Sequence, residues 1–176
     1  MLLSFFHLYA IMNEILMKSG ERMEHIRRAC ENDLARIAEI RIFNYRLNFY
    51  PIFRNDEFYF GELQVPSLME EYQPELGGIW VYDDGVVKGF IHVIGHEIRN
   101  LFVEPVLQGQ GIGEKLLEFA VREFGADTLW ALEKNTRAIA FYARHGFYPT
   151  QDREPVDDTA EDLIRLARSA DTEEEK

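Results

Sequence analysis

The tightest constraint on this chain is a run of glycines, Gln108-Gly109-Gln110-Gly111-Ile112-Gly113. It follows a segment of strand character, Glu97 to Val103, closed by Pro105. It leads into Gly111 to Phe124, where Ile112, Leu116, Ala120 and Phe124 recur every four residues, the spacing of a helix with one apolar face. A strand that turns through glycines into a helix lets backbone N–H groups approach an anion, and the helix N-terminus adds a favourable dipole. A diphosphate is the natural guest. Three known phosphate loops do not fit. The dinucleotide pattern GxGxxG fails because its sixth position is Glu114 counted from Gly109 and Leu116 counted from Gly111. No GxxxxGK[ST] occurs. A kinase glycine loop would need a later His-Arg-Asp, which is absent.

Around this turn the pattern reads as alternating elements. Glu24 to Ala29 is a short strand, and Asn32-Asp33 offers a helix N-cap before Leu34, Ile37, Ala38, Arg41 and Ile42 at helical spacing. Pro51 ends that helix or lies just beyond it. Residues 56–72 are ambiguous, with a helix around Pro66 to Tyr72. Ile79 to Tyr82 and Val86 to Ile94 are strands joined by Asp83-Asp84-Gly85, a tight hairpin turn. Thr128 to Leu132 is a strand, and Thr136 to Arg144 a helix closed by Gly146. Phe147 to Thr150 is a strand, and Glu161 to Arg168 reads as the last strand, with helix as the other reading. Hairpins followed by strand–helix–strand–helix–strand give an α/β (α+β) domain with a mixed central sheet.

At 176 residues, with 47% of them apolar, the chain is one domain with enough material for a packed core. The net charge of −12 and the lack of a basic cluster argue against nucleic acid. Eight of the acids fall in 157–176 against three bases, so much of that charge is terminal and makes a weak case for a cationic substrate. The single cysteine, Cys30, excludes an internal disulfide, fits a reducing compartment such as the cytoplasm, and reads as a buried or half-buried small residue. His7, His25, His92, His96 and His145 show no metal-ligand spacing, so no metal is expected. Met1 to Met12 is apolar but too short to span a membrane, and it lacks the flanks of a signal peptide. Residues 1–22 read as an extension, either an added amphipathic helix or a start placed too early. Gly20-Glu21-Arg22 before Met23 can be encoded by a purine-rich run like a ribosome-binding site. The domain proper is then 23–170, with 171–176 a charged tail.

What fits the glycine turn is Q-x-x-G-x-G after a strand ending Leu101-Phe102-Val103 and a proline. Downstream, Leu129 to Asn135, then Ala138-Ile-Ala-Phe-Tyr142 and Gly146-Phe147, supply an Asn, a helix carrying Tyr, and Gly-Phe. Together these resemble the two signatures of the GNAT N-acetyltransferase superfamily, over residues 97–150. The resemblance implies a GNAT-type mixed sheet of six to seven strands flanked by about four helices. It implies acetyl-CoA as co-substrate, with no metal. It implies a small-molecule amine or a protein or peptide amine as acceptor, in a monomer or homodimer. By the same resemblance, backbone groups at Phe102 and Val103 hold the pantetheine arm. The N–H groups of Gln108, Gly109, Gln110, Gly111, Ile112 and Gly113 hold the pyrophosphate. Asn135 and Ala138 meet the cofactor, and Tyr142 lies near its sulfur. One departure stands out: ribosomal alanine acetyltransferases carry a Glu five residues before the signature Asn, where this chain has Trp130.

The chemistry can be reasoned separately. An alkylamine with a pKa near 10.4 arrives mostly protonated, so a base must take a proton, often through water. The tetrahedral oxyanion needs a preorganised donor such as a strand N–H near Val103. Tyr142 is the candidate acid for the leaving thiolate, with packing under the sheet as its alternative role. Glu97 is the candidate base, by resemblance to the protein-lysine acetyltransferase branch, with a solvated strand-end carboxylate as its alternative. His96 should point to the opposite face from Glu97, and His92 reads as a satisfied strand histidine. Residues 43–60 hold eight aromatics: Phe43, Tyr45, Phe49, Tyr50, Phe53, Phe58, Tyr59 and Phe60. They are expected mostly to pack helices on the sheet, with one or two rings at an acceptor pocket near Asp56, Glu57 and Glu62. A non-catalytic acyl-CoA-binding module and an unrelated nucleotide-binding domain are the competing readings.

Overall fold

The computed structural model describes residues 25–157 and 159–168. The expectations for the 1–22 extension and the 171–176 tail lie outside these residues.

Seven strands form one sheet in the order β1-β2-β3-β4-β5-β7-β6. They are β1 (Ile26–Arg28), β2 (Ile79–Asp83), β3 (Val87–Ile94), β4 (Glu97–Val103), β5 (Thr128–Leu132), β6 (Phe147–Pro155) and β7 (Asp162–Arg168). The helices are α1 (Leu34–Asn48), the single turn α2 (Tyr50–Phe53), α3 (Val65–Tyr72), α4 (Ile112–Phe124) and α5 (Thr136–Arg144). This is the mixed sheet that the sequence pattern implies, with four longer helices and one short one.

Alternation along the strands divides the core in two. Ile91 and Val93 of β3 face a cluster with Leu116, Leu117 and Ala120 of α4 and with Phe147. Phe90, the residue before Ile91, points the other way, to Ile37 and Ile40 of α1 and Tyr72 of α3. The β2–β3 turn closes on Gly85 at φ +112°, and its N–H donates to Asp83 Oδ1 at 2.9 Å. A positive φ at this position suits glycine.

Every neighbouring pair is antiparallel except β4 and β5. Those two share only the register pairs Glu97–Thr128 and Ile98–Leu129. Beyond them the strands part, leaving the rest of β4 with an open edge toward β5. On its other side β4 carries an extra residue: His92 faces Asn100 while Val93 faces Ile98, so Arg99 has no partner on β3. Such a bulge bends and twists a strand.

Several local expectations shift. Asp33 does not cap α1; its carboxylate turns back to accept from the Cys30 N–H at 2.8 Å and from Arg27 at 2.7 and 2.8 Å. Pro51 lies just beyond the end of α1 at Asn48, as expected, and stands in the first turn of α2, where a missing N–H costs no hydrogen bond. Residues Glu57–Glu62 form a π-helical turn within the ambiguous stretch. The first strand is shorter than expected, and β6 runs on to Pro155 across an irregularity between Pro149 and Arg153. Asp162–Arg168 is a strand, which settles the strand-or-helix alternative there. Cys30 is exposed rather than buried, because it precedes the short turn Glu31–Asp33 outside the packed faces.

Candidate active site

A cleft of about 530 Å³ opens where β4 and β5 part. Leu101, Phe102 and Val103 form one side. Gln108, Gly109, Gly111 and Gly113 form the end at the start of α4. Asn135, Ala138, Phe141 and Tyr142 come from the start and inner face of α5. Asn44, Asn48 and Phe49 close it from the end of α1. Arg137, Arg144 and His145 place basic groups at the lining against one carboxylate, Glu114. That balance suits an anionic ligand in a chain whose total charge is negative.

Backbone geometry explains the glycine end. Gly109 and Gly111 adopt φ of +81° and +82°. A β-carbon at either would touch nothing, so space alone does not demand glycine there; the left-handed backbone does. Gly111 caps α4, and no side chain bonds over the first turn. The first N–H groups of a helix have no partner within the helix, so here they face the cleft end as donors. The loop therefore fits a diphosphate by its conformation and its donor set. Of the loop residues expected to serve, Gln110 is exposed and outside the lining, and the Ile112 side chain is buried in the core, leaving only its backbone to offer.

The register of β4 sorts its backbone groups. Glu104 N–H donates to Lys88 C=O at 2.8 Å, and the pairing continues through Gly89–Val103 and Phe90–Phe102. In an antiparallel pair the groups of alternate residues point alternately to the partner strand and away from it. Phe102 therefore spends its N–H and C=O on β3, and Leu101 and Val103 turn theirs to the open edge. The family resemblance implies backbone contacts at Phe102 and Val103; in this register Val103 and Leu101 have backbone groups on the open edge and Phe102 does not, though Phe102 is part of the lining.

Side chains complete the site. Asn135 caps α5, its Oδ1 accepting from the Ala138 N–H at 3.2 Å, which leaves the amide nitrogen as what it can offer a ligand. Tyr142 is buried, with Phe141 and Phe147 set edge-on to its ring at 5.2 and 6.1 Å. Burial pushes its phenol well above the ordinary value, so it stays protonated at neutral pH. Glu97 lies at the end where β4 and β5 are still paired, half-buried, bonded to Arg99 at 2.7 Å and outside the lining. His96 sits in the β3–β4 turn, its Nδ1 3.0 Å from the Gly125 carbonyl. His92 is buried as expected but not satisfied: Nε2 has no hydrogen-bond partner, and the nearest acid, Glu75, is 3.6 Å away. Burial holds its imidazole below the ordinary value.

The aromatic segment mostly packs. Tyr45 meets Phe49 and Phe102, and Tyr50 meets Tyr59 and Phe60, all edge-on. Phe49 reaches the cleft. Asn44 and Asn48 were not singled out by sequence reasoning, because nothing local marks an asparagine within a helix as facing a strand that lies far along the chain.

The model of the acetyltransferase (GNAT) domain family matches residues 75–149. The peptidyl-lysine N-acetyltransferase YjaB of Salmonella typhimurium is 36% identical over 97 residues, covering 54% of this chain and 66% of the relative, just short of two thirds. YjaB of Escherichia coli is 32% identical over 108 residues, 59% of this chain and 72% of the relative. The solution structure of apo YjaB from Escherichia coli superposes with a TM-score of 0.61 at 26% identity, covering 81% of this chain and 95% of that one. The PaiA N-acetyltransferase of Thermoplasma acidophilum, solved with coenzyme A, shares the fold at a TM-score of 0.58 and 19% identity, over 81% and 97% of the two chains. Among the described residues no helix is long and apolar enough to cross a membrane.

Proposed function

The chain belongs to the GNAT N-acetyltransferase family of enzymes, and from that premise we propose that it moves an acetyl group from acetyl-CoA to a primary amine by direct attack. One observation carries the reading: the open edge of β4, the glycine end and the protonated Tyr142 all line a single cleft. The names of the YjaB relatives suggest a lysine side chain of a protein as the acceptor.

Acetyl-CoA would supply the thioester carbonyl, and the chain's residues do the rest. The loop N–H groups of 109–113 and the basic groups Arg137 and Arg144 hold the diphosphate end, the Gln108 N–H being spent on the Pro105 carbonyl. The open-edge groups of Leu101 and Val103 align the pantetheine arm, and Asn135 and Ala138 border it. A strand N–H on that edge faces the oxyanion. As the tetrahedral species collapses, Tyr142 gives its proton to the departing thiolate. The phenol is protonated at neutral pH and so has a proton to give; because it is a weaker acid than the thiol, whose ordinary pKa is about 8.5, the cycle closes only when the proton taken from the amine returns to Tyr142. The amine loses a proton to a base. Glu97 is the candidate, and its place outside the lining requires a water between it and the amine. At high pH more of the amine is already neutral, so Glu97→Gln should lower turnover most at low pH; an unaltered pH profile removes Glu97 from the role.

A thiol-release assay with acetyl-CoA against lysine peptides, N-terminal peptides and small amines tests the reading. Release that depends on a lysine peptide supports it. Acetyl-CoA binding without release from any amine would make the protein an acyl-CoA-binding module instead.

A further inference from the structure

Asn44 stands in the interior of α1, only 2% exposed, and its polar atoms are fully used. Its Nδ2 donates to the Ile40 carbonyl at 2.8 Å and to the Val103 carbonyl at 2.9 Å. Its Oδ1 accepts from Gln108 Nε2 at 2.9 Å and from Asn48 Nδ2 at 3.4 Å. Gln108 Nε2 donates a second time to the Val103 carbonyl, at 3.2 Å. The bookkeeping is closed: both hydrogens of each amide and both lone pairs of the Val103 carbonyl have partners. The amide orientations are fixed by the same count, since Nδ2 of Asn44 faces two carbonyls.

We propose that Asn44 is a positioning residue for acetyl-CoA, joining the open end of β4 to the first residue of the glycine loop and leaving Val103 as a donor only. This rests on the reading of the cleft as an acetyl-CoA site. Val103 presents both N–H and C=O on the open edge, by the register. With its carbonyl taken by Asn44 and Gln108, Val103 offers a ligand its N–H and no competing acceptor, while Leu101 beside it keeps both groups. A carbonyl of the incoming arm is then accepted in one register, and its reversed placement, with an N–H toward Val103, finds no partner. The same two amides fix the distance between that N–H and the loop donors for the diphosphate. A ligand with its carbonyls and its diphosphate at fixed separation meets both ends at once without ordering the loop on binding.

The test separates the two substrates. In the thiol-release assay, Asn44→Leu keeps the volume and removes the donors. Its KM for acetyl-CoA should rise about tenfold, while the amine KM at saturating acetyl-CoA stays within about twofold. Gln108→Leu, on a half-buried loop residue that the core does not depend on, should move the same constant in the same direction. The pair combined should cost less than the product of the two effects, because they share one carbonyl. Calorimetry of acetyl-CoA with each variant checks that the change is in binding. An unchanged KM for acetyl-CoA in Gln108→Leu and in folded Asn44→Leu overturns the proposal, as does a rise of both KM values together. Wild-type protein that does not bind acetyl-CoA overturns the reading beneath it, which is a different result.

Discussion

On one face of the sheet, α4 and α5 pack around Leu116, Leu117, Leu129 and Phe147; on the other, α1 and α3 pack around Ile37, Ile40, Tyr72 and Phe90. The first face delivers the cleft through backbone: two left-handed glycines, a helix start with no side-chain cap and the open edge of β4. The second delivers it through side chains: Asn44, Asn48 and Phe49 at the end of α1, backed by rings in edge-on contact. Backbone donors are set by a few φ values and tolerate changes in neighbouring side chains. A wall made of packed rings and amides depends on every partner, and on elements far apart in the chain.

The largest effect should come from breaking the second face away from the cleft. Leu68 of α3 is buried among the second cluster and outside the cleft lining. Leu68→Ala should cost about 2–5 kcal/mol of stability in urea denaturation. Acetyl-CoA affinity of the folded protein should stay within about twofold, because Leu68 lies outside the cleft lining.

The next effect belongs to the shared wall. Tyr142→Phe keeps the ring that packs against Phe147 and removes the proton. Turnover should fall at least about tenfold with little change in acetyl-CoA affinity. Unchanged turnover would leave Tyr142 as packing alone.

The smallest concerns the charge clamp that ties β1 to the start of α1. The Arg27 guanidinium holds the Asp33 carboxyl down to about 2, from an ordinary 3.8. A carboxyl lowered by folding contributes stability above its unfolded value and loses it as pH falls through the folded one. Arg27 is itself 42% exposed, so solvent screens the pair and about 1 kcal/mol is the expected scale. Asp33→Asn should lower stability by that amount at pH 7, and the difference should close between pH 4 and pH 2.

The same contrast explains what the sequence discloses. Loop, helix start and strand end follow one another within residues 97–124, so short-range rules reveal them. Asn44 and Val103 are 59 residues apart, and an asparagine inside a helix looks locally like a solvated residue. The extent of β6 is hidden for another reason. Its residues from Tyr148 on are mostly exposed, so Thr150-Gln151-Asp152-Arg153 shows no buried alternation, and pairing with β7 holds it as a strand. Cys30 and His92 mislead through average behaviour: the first lies outside the packed faces, and the second is buried with one nitrogen unpaired. The aromatics of 43–60 announce packing without saying which ring reaches the cleft; only the end of α1 makes that Phe49.

The central claim is that backbone geometry at the glycine turn makes an acetyl-CoA site. Calorimetric titration of wild type and Gly111→Val with acetyl-CoA, NAD and ATP tests it directly. A valine held at a φ near +82° is strained by about 1–2 kcal/mol, so its loop should leave that conformation. Wild type should bind acetyl-CoA in preference to the other two, and Gly111→Val should bind it at least about tenfold more weakly. Binding of NAD without acetyl-CoA, or a Gly111→Val protein that binds acetyl-CoA as tightly as wild type, would contradict that claim.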